Sequence, residues 1–225
     1  MLKLENVTKY YHNNTNVTCA LHKVNLEFKK GEFVVITGES GSGKTTLLNI
    51  ISGLDSYEDG EMYFNNKETS YFDDSDWEKY RKDEIAFIFQ NYNLIDSYTV
   101  LENVMVTYTI AGYSLKEAKE KAIEVLKLVG LESHINQKAT QLSGGQKQKV
   151  AIARALAKET NIIIADEPTG NLDTENSIMV LDILKQVSKD KLVIVVSHNQ
   201  NIATLKLPTI TLRQKYEEQI ATSID

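Results

Sequence analysis

Two glycine-rich segments of this 225-residue chain have residue types and spacings suited to binding phosphate. The first fits the pattern G-x-x-x-x-G-K-[ST], and it consists of Gly38, Glu39, Ser40, Gly41, Ser42, Gly43, Lys44, Thr45 and Thr46. In this pattern successive backbone amides cradle nucleotide phosphates at the start of a helix. We expect Lys44 to reach the β- and γ-phosphates and the Thr45 side chain to ligate Mg²⁺. Residues 38–46 are called the phosphate loop below.

Two adjacent carboxylates follow an apolar segment and are candidates for metal binding and catalysis. Asp166 ends the predicted strand 161–166, so its side chain should project from the carboxyl edge of the sheet, where ligands of α/β proteins bind. A carboxylate there can hold Mg²⁺ through water. Glu167 is the candidate general base that polarises the attacking water. The alternative for the sequence Asp166-Glu167-Pro168 is a polar turn after a strand.

The second glycine-rich segment lacks a lysine and opens a different helix. It consists of Leu142, Ser143, Gly144, Gly145 and Gln146, and it is called the signature segment below. We expect Ser143 to cap a helix, so that the N–H groups of Gly144 and Gly145 form a second anion site together with the helix dipole. One chain has no need of two sites for a γ-phosphate.

The presence of both segments on one chain is the mark of the ATP-binding cassette family, whose ATPase domains this sequence resembles from Leu4 to about Ile210. The resemblance implies that two copies of the chain arrange head to tail and close two ATP molecules between them. The phosphate loop of each copy then faces the signature segment of the other. The residues Asn171-Leu172-Asp173 resemble the dimer-contact loop, which would place Asp173 near the opposite site. Asp173 also suits an N-cap for the next helix, and both roles are compatible.

The resemblance assigns further roles at the nucleotide. It implies that Gln90 touches Mg²⁺ and the attacking water, and that residues 91–104 face a membrane partner. It implies that His198 contacts the γ-phosphate and positions Glu167 and water. Tyr11 occupies the position where the family places an aromatic ring against adenine, and the adjacent Tyr10 is the alternative.

Within the family the chain looks most like the branch of lipoprotein-releasing, macrolide-export and antimicrobial-peptide-resistance ATPases. The segments that carry this likeness are 52–55, 81–90, 99–104 and 165–173. The resemblance implies an ATP hydrolase that drives a separate integral membrane permease from the cytoplasmic face of the membrane. Cell-division ATPases of similar sequence use the same clamp for signalling, which stays an alternative. Asn199 departs from the usual aspartate, and residues 207–213 lack the usual glycine hairpin, which predicts irregular final strands.

The elements that must position these residues alternate between strands and helices. This order predicts an α/β fold with a mainly parallel sheet, and the resemblance adds an antiparallel β region near the N-terminus. We expect strands over 33–37, 85–89, 161–166 and 191–197. A single domain over 1–225 is predicted, with a core of 1–90 and about 156–225 and a helical subdomain of about 91–155. Capping boxes are expected at Ser75/Glu78 and Ser114/Glu117. One helix should bury Ile178, Leu181, Leu184 and Val187.

Composition limits the other function classes. The net charge of −6 and the pI of about 5.4 argue against a nucleic-acid partner, which needs a basic face. A soluble cassette ATPase acting on DNA or ribosomes is therefore the less favoured alternative. Another is a regulatory subunit that binds ATP but hardly hydrolyses it, against which Glu167 and His198 count. A single cysteine, Cys19, excludes an internal disulfide, and the apolar stretches fall short of the ~20 residues of a membrane span.

Overall fold

A five-stranded parallel sheet forms the centre of the fold. The structure is a computed structural model that describes residues 1–13, 16–197 and 208–212. The sheet order is β6-β7-β8-β3-β9, and all of its neighbours run parallel. Its strands are β3 (Phe33–Gly38), β6 (Ile85–Ile88), β7 (Ile162–Asp166), β8 (Leu192–Val196) and β9 (Thr209–Leu212). The predicted α/β fold with a mainly parallel sheet is confirmed.

A second, antiparallel sheet lies near the N-terminus, as the resemblance implied. Its strand order is β2-β1-β4-β5. The strands are β1 (Leu2–His12), β2 (Val17–Phe28), β4 (Asp59–Phe64) and β5 (Lys67–Glu68). Buried residues of β1, β2 and β4 pack into the same apolar cluster as one face of the parallel sheet. This second sheet therefore covers part of that face.

Most of the helices begin at a side-chain cap. The helices are α1 (Lys44–Ile51), α2 (Asp74–Asp83), α3 (Val100–Ile110), α4 (Leu115–Leu128), α5 (Gly144–Ala157) and α6 (Thr174–Val187). The capping box Ser114/Glu117 is confirmed at the start of α4. The one predicted at Ser75/Glu78 is wrong, because Asp73 caps α2 and pairs with Asp76. An aspartate accepts the N3 amide as well as a serine does, so the helix begins two residues earlier.

The two faces of the parallel sheet are covered by different helices. Alternate residues of each strand point to opposite faces. On β3, for example, Val34 and Ile36 pack with the α1 residues Leu47 and Leu48, while Val35 belongs to the cluster formed with α3, α4, α5 and α6. Helix α1, which follows the phosphate loop, and helix α5, which follows the signature segment, are thus separated by the sheet.

Two further expectations from the sequence need correction. On α6 the residues Val180, Leu181 and Leu184 are buried, but Ile178 is 47% exposed because it lies on the far flank of the helix. Irregular final strands were expected over 207–213, but the described part, 208–212, contains β9, which pairs regularly with β3 at the sheet edge. Residues 207 and 213 lie outside the described residues. The proposed division into a core and a helical subdomain stays a prediction. Within the described residues, no helix is both long enough and apolar enough to cross a bilayer.

Candidate functional site

The phosphate loop connects β3 to α1 and has the backbone of an anion cradle. Gly43 is the N-cap of α1 with φ +88°, and a Cβ on it would lie 2.3 Å from the Ala20 carbonyl oxygen, so only glycine fits. No side chain caps the first turn of α1. The first N–H groups of this helix are therefore available to an anion, together with the positive end of the helix dipole.

Lys44 is buried in the loop and closes it on itself. Its ammonium donates to the backbone oxygens of Gly38 at 2.9 Å and Glu39 at 2.6 Å. Burial lowers the pKa of Lys44, and the nearby charges of Glu167 and Asp166 partly oppose this. The structure thus brings the predicted lysine and the predicted acidic pair into one electrostatic environment. The remaining loop residues Ser40, Gly41 and Thr45 lie exposed, while Ser42 is buried.

The acidic pair sits at the carboxyl end of β7. Glu167 is only 9% exposed and has φ +48°, a backbone conformation that a non-glycine residue adopts at a cost in free energy. Its N–H donates to the Val196 carbonyl oxygen of β8 at 3.0 Å. The Ser197 hydroxyl lies 3.3 Å from its carboxylate oxygen Oε2 and donates to it. Glu167 is therefore held by its backbone and by its side chain.

Ser197 was not singled out by sequence reasoning, although it directly precedes the predicted His198. We expect Ser197→Ala to lower kcat about five-fold, equivalent to about 1 kcal/mol, because the Glu167 carboxylate loses a hydrogen bond that orients it. The Kd for ATP should not change. Single-turnover hydrolysis and calorimetric ATP binding check this. Ser188→Ala is the matched control, since Ser188 is also buried but donates to Lys185 within α6. Equal loss in both variants would contradict a role at Glu167.

Gln90 lies beside the acidic pair. It follows β6 and is exposed, and a Cβ placed on Gly170 would be 3.7 Å from its amide nitrogen and 3.5 Å from the Glu167 carbonyl oxygen. Gln90 and Glu167 therefore flank the same glycine. His198, which was expected to join them, lies outside the described residues.

Tyr11 lies at the end of the phosphate loop. Its ring is on β1 and 40% exposed. The hydroxyl donates to Asp55 Oδ2 at 2.8 Å and is 3.5 Å from Thr46 Oγ1. The backbone N–H of Tyr10, the alternative, donates to Glu58 Oε2 at 2.8 Å. The structure brings Tyr11 to the loop, as a ring that stacks on the base requires.

The signature segment opens α5 as predicted. Ser143 is the N-cap: its Oγ accepts from the Gln146 N–H at 3.3 Å, and its own N–H donates to Gln146 Oε1 at 2.9 Å. A Cβ on Gly145 would lie 2.9 Å from the Asn176 side chain, so glycine permits close packing on α6. Asn176 in turn donates to both carboxylate oxygens of Asp173, at 2.9 and 2.8 Å. Asp173 caps α6, as expected, and is linked through Asn176 to the signature segment of its own chain.

Comparison with known proteins settles the family. The family profile described as ABC transporter matches residues 21–170. The chain belongs to the ABC transporter family. It is 47% identical to the ABC transporter ATP-binding protein MJ0796 of Methanocaldococcus jannaschii over 209 residues, which cover 90% of this chain and 89% of that one. A solved dimeric structure of the MJ0796 cassette in a post-hydrolysis state with ADP and Pi matches at a TM-score of 0.85 and 44% identity, over 97% of this chain and 98% of that one.

Two further relatives support the predicted branch. The lipoprotein-releasing system ATP-binding protein LolD of Saccharophagus degradans is 42% identical over 84% of this chain and 82% of its own length. The macrolide export ATP-binding/permease protein MacB of Hyphomonas neptunium is 38% identical over 95% of this chain, which spans 33% of MacB. The chain is thus similar to the lipoprotein-releasing and macrolide-export branch, and ATP or ADP is the nucleotide of the family.

Proposed function

We propose that this chain is the ATP-hydrolysing subunit of a transporter and that two copies close head to tail on two ATP molecules. The observation that carries the proposal is the placement of α1 and α5 on opposite faces of the sheet. Two helix starts separated by a sheet are poorly placed to grip one phosphate group within a chain, whereas a two-fold dimer can pair each with its counterpart. The MJ0796 cassette, which is dimeric in a post-hydrolysis state with ADP and Pi, supports a dimer as the form that acts on the nucleotide.

In each proposed site the residues divide the work between binding and proton transfer. Lys44 and the loop amides hold the β- and γ-phosphates, and the second copy contributes Ser143, Gly144, Gly145 and Gln146 at the γ-phosphate. Glu167 accepts a proton from the attacking water, and Gln90 and His198 orient that water. Asp173 of the second copy lies at the rim of the site. Because each site needs residues of both copies, hydrolysis follows dimerisation.

The oxygen ligands of the site suit Mg²⁺. Within the described ranges there is no group of three or more His, Cys, Asp or Glu side chains that could hold a metal alone. Mg²⁺ typically keeps several waters and is bound by one or two carboxylates together with substrate phosphates. We propose that Thr45 and Gln90 would hold it directly and Asp166 through water. When bound, Mg²⁺ neutralises phosphate charge.

A cavity of about 330 Å³ beside α5 supports docking of a membrane permease at the cytoplasmic face of the membrane. It is lined by aromatic and basic side chains, among them Phe87, Phe89, Arg81, Arg154 and Lys158. Arg154 donates to the Asn93 carbonyl oxygen at 2.5 Å, which joins the cavity to the segment after Gln90. A movement of the docked permease can therefore be transmitted to the catalytic residue Gln90 through the backbone of residues 90–93.

Concentration dependence of hydrolysis tests the composite site. With Mg²⁺ and saturating ATP, we expect the rate per chain to rise with protein concentration and then level off, because the active species is a dimer. Chelation of Mg²⁺ should abolish phosphate release and be reversed by added Mg²⁺. Sedimentation of the same samples measures the dimer fraction. A rate per chain that stays constant while the chain is monomeric would contradict the proposal.

A further inference from the structure

An ionic cluster of one buried lysine, Lys9, and two more exposed carboxylates, Asp55 and Glu58, lies under the Tyr11 ring and has no part in the mechanism described so far. Lys9 on β1 is only 5% exposed, and its Nζ is 3.0 Å from Asp55 Oδ1 and 3.3 Å from Glu58 Oε1. A lysine is almost never buried unless it is paired, because removing its charge from water is costly. An apolar residue would pack in β1 without that cost. The stability of the fold therefore does not explain why a charged residue occupies this position.

The same three side chains hold the Tyr11 ring and the strand that carries it. The Lys9 ammonium lies 5.2 Å from the ring centroid, within the range of a cation–π contact. Asp55 Oδ2 accepts a hydrogen bond from the Tyr11 hydroxyl at 2.8 Å, while Asp55 Oδ1 accepts one from the Lys9 ammonium. Glu58 Oε2 accepts the Tyr10 N–H at 2.8 Å. The Tyr11 ring is therefore held at its face by Lys9 and at its hydroxyl by Asp55, and the strand is held at the preceding residue by Glu58.

The electrostatics of the cluster keep it charged. Burial lowers the pKa of Lys9, but the hydrogen bonds that its ammonium donates to Asp55 and Glu58 outweigh this and leave the pKa above its usual value. Burial raises the pKa of Asp55, but its hydrogen bonds with Tyr11 and Lys9 leave the pKa below its usual value. The raised pKa of Lys9 and the lowered pKa of Asp55 both favour the charged forms. The Tyr11 ring therefore contacts a charged ammonium and a charged carboxylate.

We propose that Lys9, Asp55 and Glu58 are positioning residues that hold the Tyr11 ring as the platform for the nucleotide base, so that they set affinity for the base and not for the triphosphate. The inference rests on the proposed function, since it takes Tyr11 to be the base-stacking ring. Lys9 and Tyr11 are two residues apart on one strand and share a face, so the lysine supports the ring from below. A ring already ordered before binding loses little conformational entropy when the base stacks on it.

The test uses a charge-matched double variant and a matched control on the same strand. Lys9→Met with Glu58→Gln removes the ammonium without leaving an extra negative charge near the phosphates. Lys3→Met with Glu5→Gln removes an exposed ion pair of β1 that lies away from the ring. Calorimetry measures Kd for ATP and for inorganic triphosphate, which lacks a base. We expect the Lys9 variant to bind ATP roughly two- to ten-fold more weakly, the range of one aromatic contact, with unchanged triphosphate binding. The control should bind both as the unaltered chain does.

A double-mutant cycle separates positioning from general support. In a Tyr11→Ala background the Lys9 and Glu58 changes should have no further effect on ATP affinity. Equal weakening of ATP and triphosphate binding would overturn the inference, because the cluster would then support the phosphate loop. Unchanged ATP binding would also overturn it. If the double variant does not fold, Asp55→Asn removes the negative charge and leaves one acceptor oxygen where Lys9 and Tyr11 each have their own, and it should give the same selective loss.

Failure of the inference differs from failure of the proposed function. If Tyr11→Ala itself weakens ATP and triphosphate equally, the base does not stack on Tyr11, whatever the cluster does. If the unaltered chain binds neither ligand, the nucleotide site is wrong as a whole. Selective loss in Tyr11→Ala without any loss in the Lys9 variant overturns only the role of the cluster.

Discussion

Replacement of Glu167 by glutamine is expected to slow ATP hydrolysis by about 10²- to 10⁴-fold, the usual contribution of a general base. Glutamine keeps the shape of the side chain but cannot accept the proton of the attacking water. It can still accept the hydrogen bond from the Ser197 hydroxyl, so the local structure should persist. ATP binding should be retained, and the closed dimer should accumulate because the step that opens it is blocked.

Single-turnover phosphate release and size-exclusion chromatography with saturating ATP measure these two effects. Glu120→Gln is a suitable control, since Glu120 is an exposed acidic residue of α4 far along the chain from the site. A Glu167→Gln chain that remains monomeric at saturating ATP would show that the head-to-tail clamp is wrong. A chain that dimerises and still hydrolyses ATP at the original rate would show that Glu167 is not the base.

The parts of the fold that follow local rules were predictable. The strand before the phosphate loop, the helix start at Lys44 and the caps Ser114, Ser143 and Asp173 depend on a few neighbouring residues, and the structure has them all. The errors arose where local signals compete. Asp73 and Ser75 are both good caps, and only the backbone conformation selects Asp73. Ile178 fits an apolar stripe by type, but the tertiary packing of α6 leaves it outside.

From residue types and spacing alone, the site was predictable only where its residues form a contiguous motif; Gln90 and Tyr11 were expected there only because of the family resemblance. The phosphate loop and the signature segment each lie within a few residues of sequence, so their chemistry could be inferred from spacing. The support of the Tyr11 ring could not be, because Lys9 contacts Asp55 across 46 residues of sequence. Contacts of this kind depend on how the antiparallel sheet packs against the loop after α1. Ser197 is a similar case, since only the register of β7 and β8 brings it to Glu167.

Complementation between two inactive variants is expected to restore hydrolysis. Lys44→Ala removes the ammonium that we propose holds the β- and γ-phosphates, and we expect loss of nearly all activity. Ser143→Asp keeps a good N-cap for α5 but places a negative charge at the proposed anion site, so it should be inactive as well. A mixed dimer has one site with an intact phosphate loop and an intact signature segment. Random pairing of equal amounts should recover about a quarter of the original rate if the sites act independently.

The mixture is informative because each variant alone contains only dimers with both sites defective. Ser114→Asp is the matched control for Ser143→Asp, since it makes the same change at the N-cap of α4. The Ser114→Asp chain should retain full activity alone, and its rate of hydrolysis should not depend on mixing. Phosphate release by the mixture, with the mixed dimer identified by native mass spectrometry, gives the result. Mixed dimers without recovered hydrolysis would contradict one working site per dimer. Recovery would require that the phosphate loop of one chain and the signature segment of another act on the same ATP, since no single chain in the mixture carries both.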